Sequence, residues 1–210
     1  MTNSRSKGSL LSETAKAYIR EMWIKEIFER EKYDLKNKFF DKGNACESDS
    51  LDLVQKVTGK TYFKNRKELA NEFITGTPDL ILDDKIIDIK TSWDIWTYAG
   101  VDEDSARKNY YYQLMGYMWL TEKTSSDLIY CLVDTPENII QDELYKLSFR
   151  YPEINESEEK ASVFKKNYLF GDIDIKLRMK QYSFTLSDED IEAVKERIIA
   201  AREYMATLSL

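Results

Sequence analysis

Asp79, Asp88 and Lys90 are the residues of this chain whose types and spacing best suit joint chemistry. They lie in Thr77-Pro78-Asp79-Leu80-Ile81-Leu82-Asp83-Asp84-Lys85-Ile86-Ile87-Asp88-Ile89-Lys90, which reads as a two-stranded hairpin. Side chains of a strand alternate between faces, so Asp88 and Lys90 share one. With Asp83-Asp84 as the loop, Leu82 pairs with Lys85, Ile81 with Ile86, and Asp79 falls opposite Asp88. Residues paired in that way have β-carbons about 4.5–5.5 Å apart, where like charges destabilise the sheet. A divalent cation between the carboxylates relieves the repulsion. A three-residue loop would instead set Asp79 opposite Ile89, on the other face, and Asp-Asp is not the favoured hairpin dipeptide. The apolar pattern supports the first register, because it places Leu80 and Ile87 on one face and Ile81 and Ile86 on the other.

The composition narrows the chemistry further. The chain of 210 residues contains no histidine and two cysteines, Cys46 and Cys131. Histidine-assisted nucleophiles, imidazole acid–base catalysis and histidine-ligated zinc are therefore excluded. Two cysteines alone cannot build a zinc or iron–sulfur site, and a reduced, cytosolic compartment is expected. What is left is carboxylate, lysine and tyrosine chemistry, or a metal held by oxygen ligands, which suits magnesium or manganese. The triplet at 88–90 is weak by itself. Asp174-Ile175-Lys176 repeats it without an upstream Pro-Asp strand, and that copy reads as structural.

The elements around these residues follow from periodicity. Ser12 is placed to cap a helix reaching about residue 30, with Ala15, Tyr18, Ile19, Met22, Trp23 and Ile27 as its apolar stripe. A polar, lysine-rich connection runs to Gly43, and a second helix spans about 45–57 and stops at Gly59. Strands are expected at about 72–75, 79–82 and 86–91, followed by an aromatic loop with Trp93, Trp96 and Tyr98. A long helix covers about 103–121, with a strand at 128–133. Helices at 137–149 and 155–166, a strand at 181–186 and a terminal helix capped by Ser187 complete the chain. The layout is a mostly antiparallel meander in a mixed α/β sandwich, with helices on both sides of a central sheet. Length and the lack of a linker favour one domain, with residues 1–9 as a flexible lead-in and 135–210 as a helical C-terminal extension carrying one further strand. No apolar run approaches the roughly 20 residues of a membrane span, and the polar N-terminus does not read as a secretory signal.

Pro78-Asp79, a short apolar strand and turn, then Asp88-Ile89-Lys90 resembles the signature of the PD-(D/E)xK nuclease superfamily. Glu47, in Gly43-Asn-Ala-Cys-Glu47, and Gln113-Leu-Met-Gly-Tyr117 are similar to the upstream glutamate and Q-x-x-x-Y motif of its lambda exonuclease, YqaJ and RecB-like branch. The resemblance spans residues 43–117 and implies a restriction-endonuclease-like fold, a mixed central sheet flanked by helices on both sides. It implies a magnesium-dependent deoxyribonuclease, with manganese able to substitute. Asp79, Asp88, the Ile89 carbonyl and Glu47 would be the metal ligands, and Lys90 would hold or activate the attacking water. Gln113 and Tyr117 share a helix face and would border the site, although the residues themselves equally suit a core tyrosine with a buried hydrogen-bonding partner. Missing cysteines exclude the iron–sulfur cluster of some relatives and favour the lambda exonuclease and YqaJ group. Those proteins process double-stranded ends for recombination or repair, often as ring-shaped homo-oligomers and with a single-strand annealing protein partner, in a bacterial or phage-infected cytoplasm. The rival readings are an endonuclease of the same superfamily, or a catalytically silent protein that binds nucleic acid or a partner.

The net charge of -7 argues against nucleic acid, but its distribution is uneven. Lys32, Lys36, Lys38 and Lys42 cluster, as do Lys60, Lys64, Arg66 and Lys67, while acids concentrate at 137–159 and 187–203. Such lysines are either a local basic surface or merely solvated. The candidate DNA contacts are Lys36, Lys38, Lys42, Arg107 and Lys108 for phosphates. Trp93 and Trp96 are candidates for base stacking, which contributes about 1–3 kcal/mol per base; core packing is the competing role for these aromatics.

Overall fold

The computed structural model describes residues 10–30, 38–155 and 157–210. The lead-in at 1–9 and Lys32 and Lys36 lie outside the described residues. A central sheet has the strand order β3 (Leu80–Ile81), β4 (Ile86–Thr91), β5 (Ser125–Cys131), β6 (Met179–Thr185). A separate small hairpin joins β1 (Leu69–Ala70) to β2 (Thr75–Gly76), in place of the expected strand at 72–75.

The β3–β4 hairpin has the register that the apolar pattern requires, Ile81 opposite Ile86 and Leu80 opposite Ile87, closed by Leu82 N donating to Lys85 O at 2.8 Å. Its Asp-Asp loop is held from outside: Lys123 Nζ donates to Asp83 O at 2.9 Å and Ser125 Oγ to Asp84 O at 3.2 Å. Lys85 makes a 2.7 Å ion pair with the buried Asp127 on β5. These tertiary contacts let an unfavoured dipeptide form the turn.

The sheet is mixed, as expected: β3–β4 and β5–β6 are antiparallel, while β4 and β5 at its centre are parallel. Parallel neighbours need a crossover, and α5 (Glu103–Thr121) supplies it, capped by Asp102 in a reciprocal pair with Ser105. The sheet is covered on both sides. Leu80, Ile87, Ile129 and Cys131 pack against Cys46, Leu53 and Val54 of the segment around α3 (Glu47–Thr58). Ile86, Leu128, Tyr130 and Phe184 pack against Leu114, Met115 and Met118 of α5. Since Ile86 faces α5, strand alternation turns Asp88 and Lys90 to the same side. β6 is thus integral to the main sheet rather than an appendage. α8 (Asp188–Ala206) packs against α1 (Glu13–Phe28) and α5. Of the expected α1 stripe, Ala15 and Ile19 are buried, while Tyr18, Met22 and Ile27 are exposed. Among the described residues no helix is long and apolar enough to cross a membrane.

Two local departures bear on the site. The supposed lysine-rich connection contains α2 (Lys38–Ala45). The aromatic loop contains a short helix, α4 (Ile95–Ala99), capped reciprocally by Asp94 and Thr97. The remaining helices, α6 (Glu137–Ser148) and α7 (Glu158–Lys165), form a satellite core that encloses Trp93 with Ile140, Leu144, Ile154 and Tyr168. α3 ends at Gly59, whose φ of 68° is the left-handed conformation glycine adopts without a Cβ penalty.

Candidate active site

A cleft of about 430 Å³ is lined by Glu47, Asp79, Asp88, Ile89, Lys90, Gln113 and Tyr117 together. Four different elements supply them: the start of α3, the residue before β3, β4 and α5. Asp79 is set by main-chain contacts on two sides. Its Oδ2 accepts from Ile89 N at 2.8 Å across the hairpin. Asn65 N donates to Asp79 O at 2.7 Å, and Asn65 Nδ2 donates to Pro78 O at 3.0 Å. Thus the irregular segment after α3 fixes the strand end that carries the acid.

Asp88 is 3% exposed. Lys90 Nζ lies 2.8 Å from Asp88 Oδ2, an ion-pair distance, but off the direction a hydrogen bond needs, so Oδ2 is buried without a hydrogen-bond donor. Burial pushes the Asp88 carboxyl up to about 6, against the lowering pull of Lys90 and with a further push from Asp79. Lys90 shows the converse balance. Burial acts to lower its pKa, but Asp88 outweighs it and the net direction is upward, so the ammonium stays charged. Lys90 Nζ also lies 3.5 Å from Gln113 Oε1 and 4.8 Å from the centre of the Tyr110 ring. Gln113 in turn donates from Nε2 to Tyr117 Oη at 2.9 Å. The i,i+4 pair on α5 therefore forms a chain leading to the lysine, and Tyr117 both lines the cleft and packs on the core.

Lys64 also enters the cleft, which the sequence noted only as part of a basic run. Its ammonium pairs with Glu47 and lies 3.6 Å from Asp79 Oδ1. No signal in the sequence ties Lys64 to the acids; the Asn65 contacts that place it are tertiary. Ser50 and Thr91, joined through their hydroxyls at 2.8 Å, link α3 to β4 beneath the cleft.

The donor types suit a hard divalent cation, since the carboxylates of Glu47, Asp79 and Asp88 line one cleft and Asp88 Oδ2 is buried without a hydrogen-bond donor. Among the described residues no three acidic or cysteine side chains close round a single point. Glu47 and Asp79 are instead engaged by the Lys64 ammonium, a monovalent cation against two of the acids.

The proposed DNA contacts divide. Lys42 is corrected: it is 1% exposed and donates from Nζ to Trp93 O at 2.8 Å, so no phosphate reaches it. Burial lowers its pKa to about 8. Trp93 takes the competing core role instead of base stacking. It is 6% exposed, edge-on to Phe39 and Tyr168, and serves as core. Lys38 is engaged with Glu143 at 2.7 Å and lies over the Trp93 ring. Arg107 stacks over Tyr111 and Phe184, and Lys108 is exposed on α5; neither lines the cleft. Trp96 is 72% exposed, with its indole N–H donating to Asn167 Oδ1 at 3.1 Å. The second triplet is structural, for Asp174 Oδ1 accepts from Lys176 N at 2.8 Å at the start of a 3-10 turn.

The ring of Tyr117 packs on β2. A Cβ added at Gly76 would stand 2.7 Å from Tyr117 Cε1 and 3.1 Å from Cδ1. Gly76→Ala should therefore displace the ring and cost about 1–3 kcal/mol. Thermal unfolding should show this as a Tm lower by about 3–10 °C; an unchanged Tm would mean that the ring gives way freely.

No family model matches the chain, and no curated protein does. Solved structures do. The chain is similar to the phage-related exonuclease from Haemophilus somnus 129PT, at 27% identity and a TM-score of 0.73, over 93% of this chain and 82% of that one. It is also similar to the alkaline exonuclease LHK-Exo from Laribacter hongkongensis, at 13% identity and a TM-score of 0.60, over 94% and 83%. A structure of LHK-Exo in complex with dAMP matches at 13% identity and a TM-score of 0.58, over 93% and 81%. The mixed sheet between helices and the likeness seen in the sequence agree: this chain has the fold of the exonuclease branch of the PD-(D/E)xK superfamily.

Proposed function

We propose that the chain is a metal-dependent exodeoxyribonuclease, hydrolysing phosphodiester bonds from the ends of double-stranded DNA in recombination or repair. The observation that carries this reading is the convergence of Glu47, Asp79, Asp88, Lys90, Gln113 and Tyr117 on one cleft in an exonuclease fold. Glu47, Asp79 and Asp88, with the Ile89 carbonyl, would hold magnesium, or manganese in its place. When bound, the metal supplies Lewis-acid polarisation of the scissile phosphate and a water of lowered pKa. Lys90 positions the attacking water and opposes the negative charge that builds on the phosphoryl oxygens, a preorganised electrostatic contribution. Gln113 and Tyr117 fix where that ammonium points. The Tyr117 hydroxyl stays protonated, since burial raises its pKa, and it remains able to donate.

The test uses linear and covalently closed circular duplexes, labelled at either the 5′ or the 3′ end of the linear form, with magnesium, manganese or chelator. The expected result is metal-dependent release of mononucleotides from the linear DNA and none from the circle. Nicking of the closed circle would replace the exonuclease with an endonuclease, and lack of cleavage with either metal would remove the nuclease.

A further inference from the structure

We propose that Lys64 is the internal cation of this site: its ammonium holds Glu47 and Asp79 until a divalent metal displaces it toward the substrate phosphates. The inference rests on the metal-dependent reading above. Lys64 stands in the irregular stretch between α3 and β1, and its backbone is tied on both sides. Asn65 bonds to Pro78 O and Asp79 O, and Tyr62 N donates to Gln55 Oε1 of α3 at 2.9 Å. The backbone is therefore anchored while a four-carbon side chain swings from it.

The two lysines of the cleft differ in kind. Lys90 is buried against Asp88, Gln113 and Tyr110. The Lys64 side chain is 27% exposed and its two acid partners are wetter still or similar. Partly hydrated ion pairs are weak, so a divalent ion that takes oxygen ligands can displace this ammonium and not that of Lys90. Charge balance gives the displacement a direction. The charged side chains lining the cleft are Glu47, Asp79, Asp88, Lys64 and Lys90, a net single negative charge that draws in a metal. With the divalent ion bound the balance becomes a net single positive charge, and the freed ammonium is then the flexible cation available to a polyanionic backbone.

Calorimetric titration of the full chain with magnesium alone separates the outcomes, with Lys64→Met and Lys64→Gln beside the unsubstituted protein. Loss of the competing ion pairs should tighten magnesium binding about fivefold in both variants. Anisotropy with a short duplex bearing non-hydrolysable terminal linkages, in magnesium, should show both variants binding DNA about threefold to tenfold more weakly. Unchanged or weaker magnesium binding overturns the internal-cation role, and unchanged DNA affinity overturns the movement to phosphate. If the unsubstituted protein neither binds magnesium nor cleaves, the metal-dependent reading itself fails, and this inference with it.

Discussion

Asp88→Asn is expected to abolish both cleavage and the stabilisation that magnesium confers. Asp88 is the most deeply buried of the cleft acids, and its Oδ2 has no hydrogen-bond donor. A ligand that binds only the native state at a hundredfold excess over its Kd stabilises by about 2.7 kcal/mol, or roughly 5–10 °C in Tm for a chain of this length. That shift should vanish in the amide variant, which offers one neutral oxygen in place of the carboxylate. The same side chain sets a pH dependence. Its folded pKa of about 6 lies above the ordinary aspartate value of 3.8. Asp88 therefore contributes stability that is fully present below about pH 4 and is lost as pH rises through about 6. Above pH 6 the metal-free protein carries a buried carboxylate, which a divalent cation relieves; below it, protons compete with the metal. Thermal unfolding at pH 5 and pH 8, with magnesium or chelator, should show the larger magnesium shift at pH 8. An equal shift at both values in the unsubstituted protein would remove Asp88 from the metal shell.

Lys90→Ala should lower the cleavage rate by about 10²–10³ or more, the scale seen when one preorganised charge-stabilising donor is removed, while magnesium still binds. The Lys90 ammonium shares the α5-side face with Asp88, is aimed by Gln113 and Tyr110, and stays protonated because Asp88 outweighs its burial. Magnesium calorimetry and single-turnover cleavage on the same preparation separate binding from chemistry. Loss of magnesium binding in Lys90→Ala would make the lysine a support for Asp88 instead of a partner in hydrolysis. Cleavage unchanged in this variant would sink its role altogether.

Much of the site was legible in the sequence because it depends on local periodicity. The two-residue loop and the alternation of Leu80, Ile81, Ile86 and Ile87 were enough to set Asp79 at the register position of Asp88. Alternation alone put Lys90 beside Asp88, and i,i+4 spacing put Gln113 and Tyr117 on one side of α5. Glu47 stood out through the family resemblance, and its place in the cleft depends on how α3 lies on the sheet. Lys42 misled because a lysine in a polar stretch looks exposed, yet it is buried with its ammonium donating a hydrogen bond to the Trp93 carbonyl. Trp93 takes its competing role, as core beside α6 and α7.

By itself, then, the sequence excluded histidine and cysteine-cluster chemistry, favoured the register that faces Asp79 with Asp88, and put Gln113 and Tyr117 on one helix face, since composition and the two backbone periods are local properties. Only the tertiary structure decided that β4 and β5 run parallel around α5, that Lys42 is interior, and that Lys64 stands between Glu47 and Asp79. Each of those depends on contacts between segments far apart in the chain, where burial and side-chain hydrogen bonds, not spacing, choose the partner.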